Sequence, residues 1–148
     1  MNFRRNFMKD SLHYLLMADH LLFQKFLLSG IKDTGLTLGQ PKVLDYLHSH
    51  DGAMQKDIAD ACHIEPATLT SLLSGMEKKG LILRKNENGN RRSLYVYLTP
   101  KGQEMAQEVD FHFQAIEETA LAGFNPEEKE LLTAFLSKIN KNMKEHLS

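Results

Sequence analysis

The sequence predicts a mainly helical fold with one small β-hairpin, and three observations predict it. Apolar residues recur at helical spacing through most of the 148 residues. One stretch departs from that period: Leu81 to Lys85 and Leu94 to Leu98 alternate instead, with an Asn-Gly turn signal between them. Directly before this hairpin stand two short helical patterns, Met54 to His63 and the run opened by Pro66, separated by a short turn. Helix, short turn, helix and basic-tipped hairpin together describe a winged helix-turn-helix, a module that reads DNA.

Taken in order, the first helix is expected over residues 3 to 31. Its apolar residues, among them Phe3, Phe7, Leu12, Leu15, Met17, Leu22 and Phe26, cover more than one face. Such a helix must be buried on several sides. A partner chain is the simplest source of the second surface; a central place in a monomeric bundle is the other reading. A second helix is expected to open at Thr37, where Thr37-Leu38-Gly39-Gln40 has the form of a capping box and Pro41 fits the first turn. Val43, Leu44 and Leu47 give its stripe. In the reading head, Ile58, Ala59 and Cys62 form one stripe and Leu69, Leu72, Leu73 and Met76 the next, with Gly80 as the stop. In the hairpin, Leu94, Val96 and Leu98 share one face and Tyr95 and Tyr97 the other. Thr99-Pro100 then caps and starts a long helix, and Asn125-Pro126-Glu127-Glu128 starts the last one, with acids near the positive end of its dipole. The helical residues 1–35 and 103–148 thus flank a winged helix-turn-helix over 36–102.

Composition narrows the class. Apolar residues at 42% and charged residues at 25% mark a globular chain rather than a disordered one. One cysteine excludes an internal disulfide framework and fits a reducing compartment. No apolar run approaches the ~18 residues of a membrane span. After Arg4 and Arg5, the residues Asp10, His13, Asp19 and His20 interrupt any signal-peptide core, so a cytoplasmic protein without membrane association is expected. The net charge of −1 hides a strong asymmetry. Between Lys78 and Lys101 there are seven basic residues and one acid, Glu87; between Gln103 and Glu130 there are eight acids and one base, Lys129. The basic run coincides with the hairpin and would attract phosphate.

The pieces Leu36-Thr37-x-x-Gln40-x-x-Val43-Leu44-x-x-Leu47, Gln55-x-x-Ile58-Ala59, Leu69-Thr70-x-x-Leu73-x-x-Met76-Glu77-x-x-Gly80-Leu81-Ile82, Asn90-Arg91-Arg92-Ser93 and Leu98-Thr99-x-x-Gly102 follow one another in order. In that order and at those spacings the chain resembles the MarR (multiple antibiotic resistance regulator) family of bacterial transcription factors over nearly its whole length. The resemblance implies a homodimer held by its terminal helices, with one winged helix per subunit on pseudo-palindromic DNA. It implies regulation, more often repression, relieved in many members by a small ligand or by thiol oxidation. It places Gln55, Ala67, Thr68, Thr70, Ser71, Ser74, Lys78, Arg84, Arg91 and Arg92 as the DNA-binding residues. His13, Met17, His20 and His112 fall where the family's ligand crevice forms.

Two departures shape the expected readout. Asn90 stands where the family's wing commonly has an acid before its tip arginine, here Arg92. Ser71 and Gly75 stand where arginines are common on the recognition helix, so bidentate arginine-to-guanine contacts are not available from it. Serine and threonine contacts, thymine-methyl packing and groove shape should carry more of the specificity. Gly75 also lowers helix propensity by roughly 1 kcal/mol relative to alanine; a close approach of backbone is one account of it, and drift the other.

Enzyme readings find no footing: there is no Gly-rich phosphate loop, no H-E-x-x-H and no G-x-S-x-G. The loop at Asn86 to Asn90 lacks the closing glutamate of a calcium site. His48, His50, Cys62 and His63 are possible transition-metal ligands by type, but they lie on different predicted elements, and neither a metal nor another cofactor is expected. Cys62 sits on an apolar stripe, where a thiol is a small buried hydrophobe with a raised pKa; a redox-sensing thiol is the other reading. Two alternatives to the DNA-binding regulator stay open: a winged-helix protein-interaction module that binds no DNA, and a metal- or thiol-switched sensor of the same fold.

Overall fold

The computed structural model describes residues 11–87 and 93–148. The elements are α1 (Leu12–Ile31), α2 (Gln40–Ser49), β1 (Ala53–Met54), α3 (Gln55–Cys62), α4 (Pro66–Lys78), β2 (Ile82–Asn86), β3 (Leu94–Leu98), α5 (Pro100–Ala120) and α6 (Pro126–Leu147). The part of the first helix expected over residues 3–10 lies outside the described residues. What is described starts at Leu12, where the Ser11 hydroxyl accepts from the Tyr14 N–H at 3.3 Å and caps the helix.

The second helix corrects the sequence reading. It opens at Gln40 rather than Thr37, because Gly39 takes a φ of 96° that no helix interior accommodates. Thr37 to Gln40 closes instead as a turn, with the Gln40 N–H donating to the Thr37 carbonyl at 3.1 Å. The glutamine half of the expected capping box is present: the Thr37 N–H donates to Gln40 Oε1 at 3.1 Å. At the start of α6 the expected cap is complete, the Asn125 side chain and the Glu128 side chain each accepting from the other's backbone N–H.

The hairpin proves to be two strands of a three-stranded antiparallel sheet, ordered β1-β3-β2. β1 contributes two residues, Ala53 opposite Val96 and Met54 opposite Tyr95. Two residues carry no period, which is why alternation does not reveal them. β2 pairs with β3 from Ile82 opposite Leu98 to Asn86 opposite Leu94. The strand begins one residue later than its alternation suggests, because the Leu81 N–H still closes the end of α4 on the Met76 carbonyl. Val96 and Leu98 point into the core, and Tyr95 and Tyr97 are half-buried on the other face.

The chain divides into two compact units, residues 1–114 and 115–148. The core of the first joins Val43, Leu44 and Leu47 of α2, Ile58 of α3, Leu69, Leu73 and Met76 of α4, Leu81, Ile82 and Val96, and Ala106 and Val109 of α5. Each such valine, leucine, isoleucine or methionine side chain, fully withdrawn from water, contributes roughly 1.5–3 kcal/mol. The core therefore lies behind α4 and buries its apolar face. α1 buries Leu27 and Ile31 but leaves Leu12, Leu15, Met17, Leu21 and Leu22 exposed. In the second unit α6 buries no residue, and Leu131, Phe135, Leu136, Met143 and Leu147 are exposed along it. Among the described residues no helix is long and apolar enough to cross a membrane.

Candidate nucleic-acid interface

α4 carries its apolar stripe inward, with Leu69, Leu73 and Met76 fully buried. Ala67, Thr68, Thr70, Ser71 and Lys78 are exposed and Ser74 is half-buried. The helix thus presents small polar and methyl-bearing side chains, a face that lets backbone approach a groove closely.

Two hydrogen-bonded braces hold that face. Gln55, the first residue of α3, donates from Nε2 to Thr70 Oγ1 at 2.9 Å, and the Thr70 hydroxyl donates to the Pro66 carbonyl at 3.0 Å. The Thr70 hydroxyl proton is therefore committed, and what it has left to offer a base is one acceptor lone pair and its methyl group. Gln55 Oε1 is buried without a hydrogen-bond partner among the described residues. Arg84, on β2, reaches back to α4. Its Nε donates to Glu77 at 2.9 Å and its terminal nitrogen to the Ser74 hydroxyl at 3.3 Å. Expected from the sequence as a DNA contact, Arg84 has its guanidinium engaged by the recognition helix itself. The hydrogen bond from Arg84 holds the Glu77 carboxyl below the usual carboxylate range.

The base of the wing is also tied down. The Tyr97 hydroxyl donates to the Glu87 carboxylate, and Lys85 Nζ stands 4.9 Å from the centre of the Tyr97 ring. The bond to Glu87 raises the Tyr97 pKa, since the carboxylate accepts the phenol's proton and opposes its loss. The Leu98 N–H donates to Asp51 at 2.8 Å, anchoring β3 to the turn before β1. Asn90, Arg91 and Arg92, at the expected wing tip, lie outside the described residues.

A cavity of about 460 Å³ opens beside α4. Phe23, Leu27, Leu72 and Phe113 supply its apolar wall, and His20, Gln24, Lys42, His63, Glu65 and Thr68 its polar groups. The Phe23 and Phe113 rings stack at 6.0 Å. Of the four residues expected at a ligand crevice, His20 lines it. His13 and Met17 are exposed on α1 outside that lining. The ring of His112 lies instead against Gly30, where an added Cβ would be 2.8 Å from Nδ1, with Nε2 4.0 Å from Glu108. Lys42, His63 and Thr68 were not expected there. Their elements meet only through the tertiary fold, and no local pattern signals it.

Cys62 is buried, its thiol directed at the Lys42 carbonyl at 3.6 Å, and burial pushes its pKa up. His50 stacks on Tyr46 at 4.3 Å. Among the described residues no three His, Cys, Asp or Glu side chains are placed to share a metal ion.

Comparison with known proteins fits this geometry. The MarR family model matches residues 36–94, which span the helix-turn-helix and most of the sheet. A MarR-family protein from Listeria monocytogenes, crystallised with a 26-mer DNA, superposes with a TM-score of 0.83 at 26% identity, covering 94% of this chain and 92% of that one. The S. aureus MepR–DNA complex superposes with a TM-score of 0.79 at 29% identity, covering 90% and 98%. In sequence, the HTH-type transcriptional regulator YybA of Bacillus subtilis is 28% identical over 112 residues, 76% of this chain and 75% of its own. The chain thus carries a match to the MarR family model over residues 36–94, in a winged-helix architecture similar to that of solved MarR-family transcriptional regulators.

Proposed function

We propose that the chain works as a homodimeric repressor on a pseudo-palindromic operator. Residues 1–35 and 103–148 form the dimerisation region, and residues 36–102 read DNA. The observation that carries this reading is the division of labour on α4. Its core face is fully buried, Gln55 and Arg84 brace its flanks, and Ala67, Thr68, Thr70, Ser71 and Lys78 remain exposed. Such a helix is suited to the major groove. Arg91 and Arg92 would follow the adjacent minor groove, where an arginine is favoured when the groove is narrow. The apolar surfaces left on α1 and α6 supply the reason for a second copy. The cavity beside α4 is of a size for a small, largely apolar molecule whose binding would release DNA.

The test is selection of duplexes from a randomised pool, followed by titration of the winner and of a shuffled duplex against salt. A repressor should recover a two-fold-symmetric sequence and bind it with a steep negative salt slope. A protein-interaction module would recover nothing and show almost no salt dependence on either duplex.

A further inference from the structure

Among the described residues, Gln40 is the least exposed polar side chain in the reading head, with 2% of its surface accessible. An amide in that position is costly unless its hydrogen bonds are made. Here both ends are used. Oε1 accepts from the Thr37 N–H at 3.1 Å and from Lys79 Nζ at 2.7 Å, and Nε2 donates to the Leu72 carbonyl at 3.4 Å. Lys79 makes a second bond, to the Gly35 carbonyl at 2.6 Å. Between these contacts, a Cβ added to Gly75 would lie 3.1 Å from Nε2, so the absence of a side chain there leaves the amide its space. Leu72 meanwhile places a methyl 3.1 Å from where a Gly39 Cβ would be. The turn before α2 therefore grips α4 at residues 72, 75 and 79, a stripe spaced for one helix face. Thr70 and Ser74 are not on that stripe; Thr68 and Ser71 stand one turn before Leu72 and Gly75.

We infer that Gln40 is a positioning residue for DNA readout. Its amide fixes how α4 is seated, and thereby which bases Thr68, Thr70 and Ser71 can reach, although Gln40 itself never touches DNA. This rests on the DNA-reading role proposed for α4. The side-chain chemistry is specific. Methionine matches the size of glutamine and makes none of the three bonds, while glutamate keeps the acceptor and loses the donor to Leu72. Glycine at 75, which weakens an isolated helix, belongs to the same device.

The experiment uses the full-length protein and two probes: the duplex the wild type recovers from a randomised pool, and a shuffled duplex of the same composition. The readouts are the ratio of the two affinities, the salt slope and the thermal melt. A seated recognition helix is lost in Gln40→Met, so the affinity ratio should fall by about tenfold, the size of one mismatched base pair, while the salt slope stays that of the parent because no phosphate contact is removed. Gly75→Ala should also lower the ratio, but in a Gln40→Ala background the added methyl meets no amide and should cause no further loss. Lys79→Met, at a half-exposed site that tolerates change, should act like Gln40→Met and decides the matter if the Gln40 variants do not fold. A folded Gln40→Met with the parental ratio overturns the inference, as does a Gly75→Ala effect of equal size in both backgrounds. A Lys79→Met variant with the parental ratio, or one that weakens both duplexes equally and lowers the slope by about one, overturns it too; the second result would make Lys79 a phosphate contact. A wild type that recovers no preferred duplex overturns the DNA-reading role itself, and this inference with it.

Discussion

A Cβ placed on Gly102 would lie 1.9 Å from the carbonyl oxygen of Leu81. That oxygen already accepts the Thr99 N–H at 3.0 Å, and Thr99 Oγ1 both donates to the Gly80 carbonyl at 2.6 Å and accepts from the Gly102 N–H at 3.0 Å. The first turn of α5 is thus clamped to the chain where α4 passes into β2. The obstacle is backbone rather than a flexible side-chain end, so relief requires breaking the clamp. Gly102→Ala is expected to destabilise the fold on the order of 3 kcal/mol, seen as a lower urea midpoint at fixed protein concentration. A midpoint equal to the parent's would show that the helix start can shift at no cost.

How far such features can be read in advance depends on their range. The helices over Pro66–Lys78 and Pro126–Leu147 are announced by local chemistry: proline at the first position, an apolar stripe, and at Asn125 a cap with its glutamate three residues on. The strand Leu94–Leu98 is announced by its alternation. What sequence cannot show is approach between distant segments. Gly102 stands in the motif at the right spacing, but its reason is the Leu81 carbonyl twenty-one residues earlier. Gly75 looks like a weak point in a helix until the Gln40 amide is found against it. His112 and His20 look alike as ligand candidates; packing puts one ring on Gly30 and the other on the cavity wall. Arg84 reads as a free cation because nothing in its neighbourhood says that Glu77, on another element, will take it.

The proposed homodimer gives a prediction about mass. Leu15 and Leu22 stand seven residues apart on α1, hence on one face, and both are exposed. Light scattering at low micromolar concentration should give twice the 16.9 kDa chain mass. Leu15→Glu combined with Leu22→Glu should lower that mass and reduce stability with it, because partner burial and folding are linked. A parent protein that runs as a single chain, or a double variant that keeps the parent's mass, would remove α1 from the interface.

Cys62 should be a poor nucleophile. Its thiol is buried and its pKa lies above the ordinary value of 9.0, chiefly through desolvation. The unfolded chain then loses this proton at lower pH than the folded one. The linked contribution is intact below about pH 9 and is lost as pH rises toward the folded-state pKa. A disulfide reagent at pH 8 should label the native protein slowly and the urea-unfolded protein fast, and Cys62→Ala should respond to DNA like the parent after peroxide treatment. Rapid native labelling would revive the thiol-sensor reading.

The last prediction separates bracing from DNA contact at Arg84. Its pair with Glu77 is partly exposed, the Glu77 side chain keeping 42% of its surface, so its worth to stability is under about 1 kcal/mol. The sign with pH follows from the lowered Glu77 pKa: the contribution is present above the unfolded value of 4.5 and is lost as pH falls through the folded one. The larger consequence is for binding. A guanidinium engaged by Glu77 makes no phosphate contact of its own, so Arg84→Met should leave the salt slope on a shuffled duplex nearly unchanged, while the unmasked Glu77 carboxylate lowers the affinity itself at low salt. Its effect should appear in sequence preference, through the loss of the bond to Ser74. Glu77→Gln should do the reverse, releasing a positive charge and removing a negative one from the surface proposed to face phosphate. Affinity for the shuffled duplex should rise several-fold at low salt, and the slope should steepen by about one. If Arg84→Met instead lowers the slope by about one, Arg84 reaches a phosphate despite its acidic partner. The pair with Glu77 would then be a resting arrangement that DNA displaces.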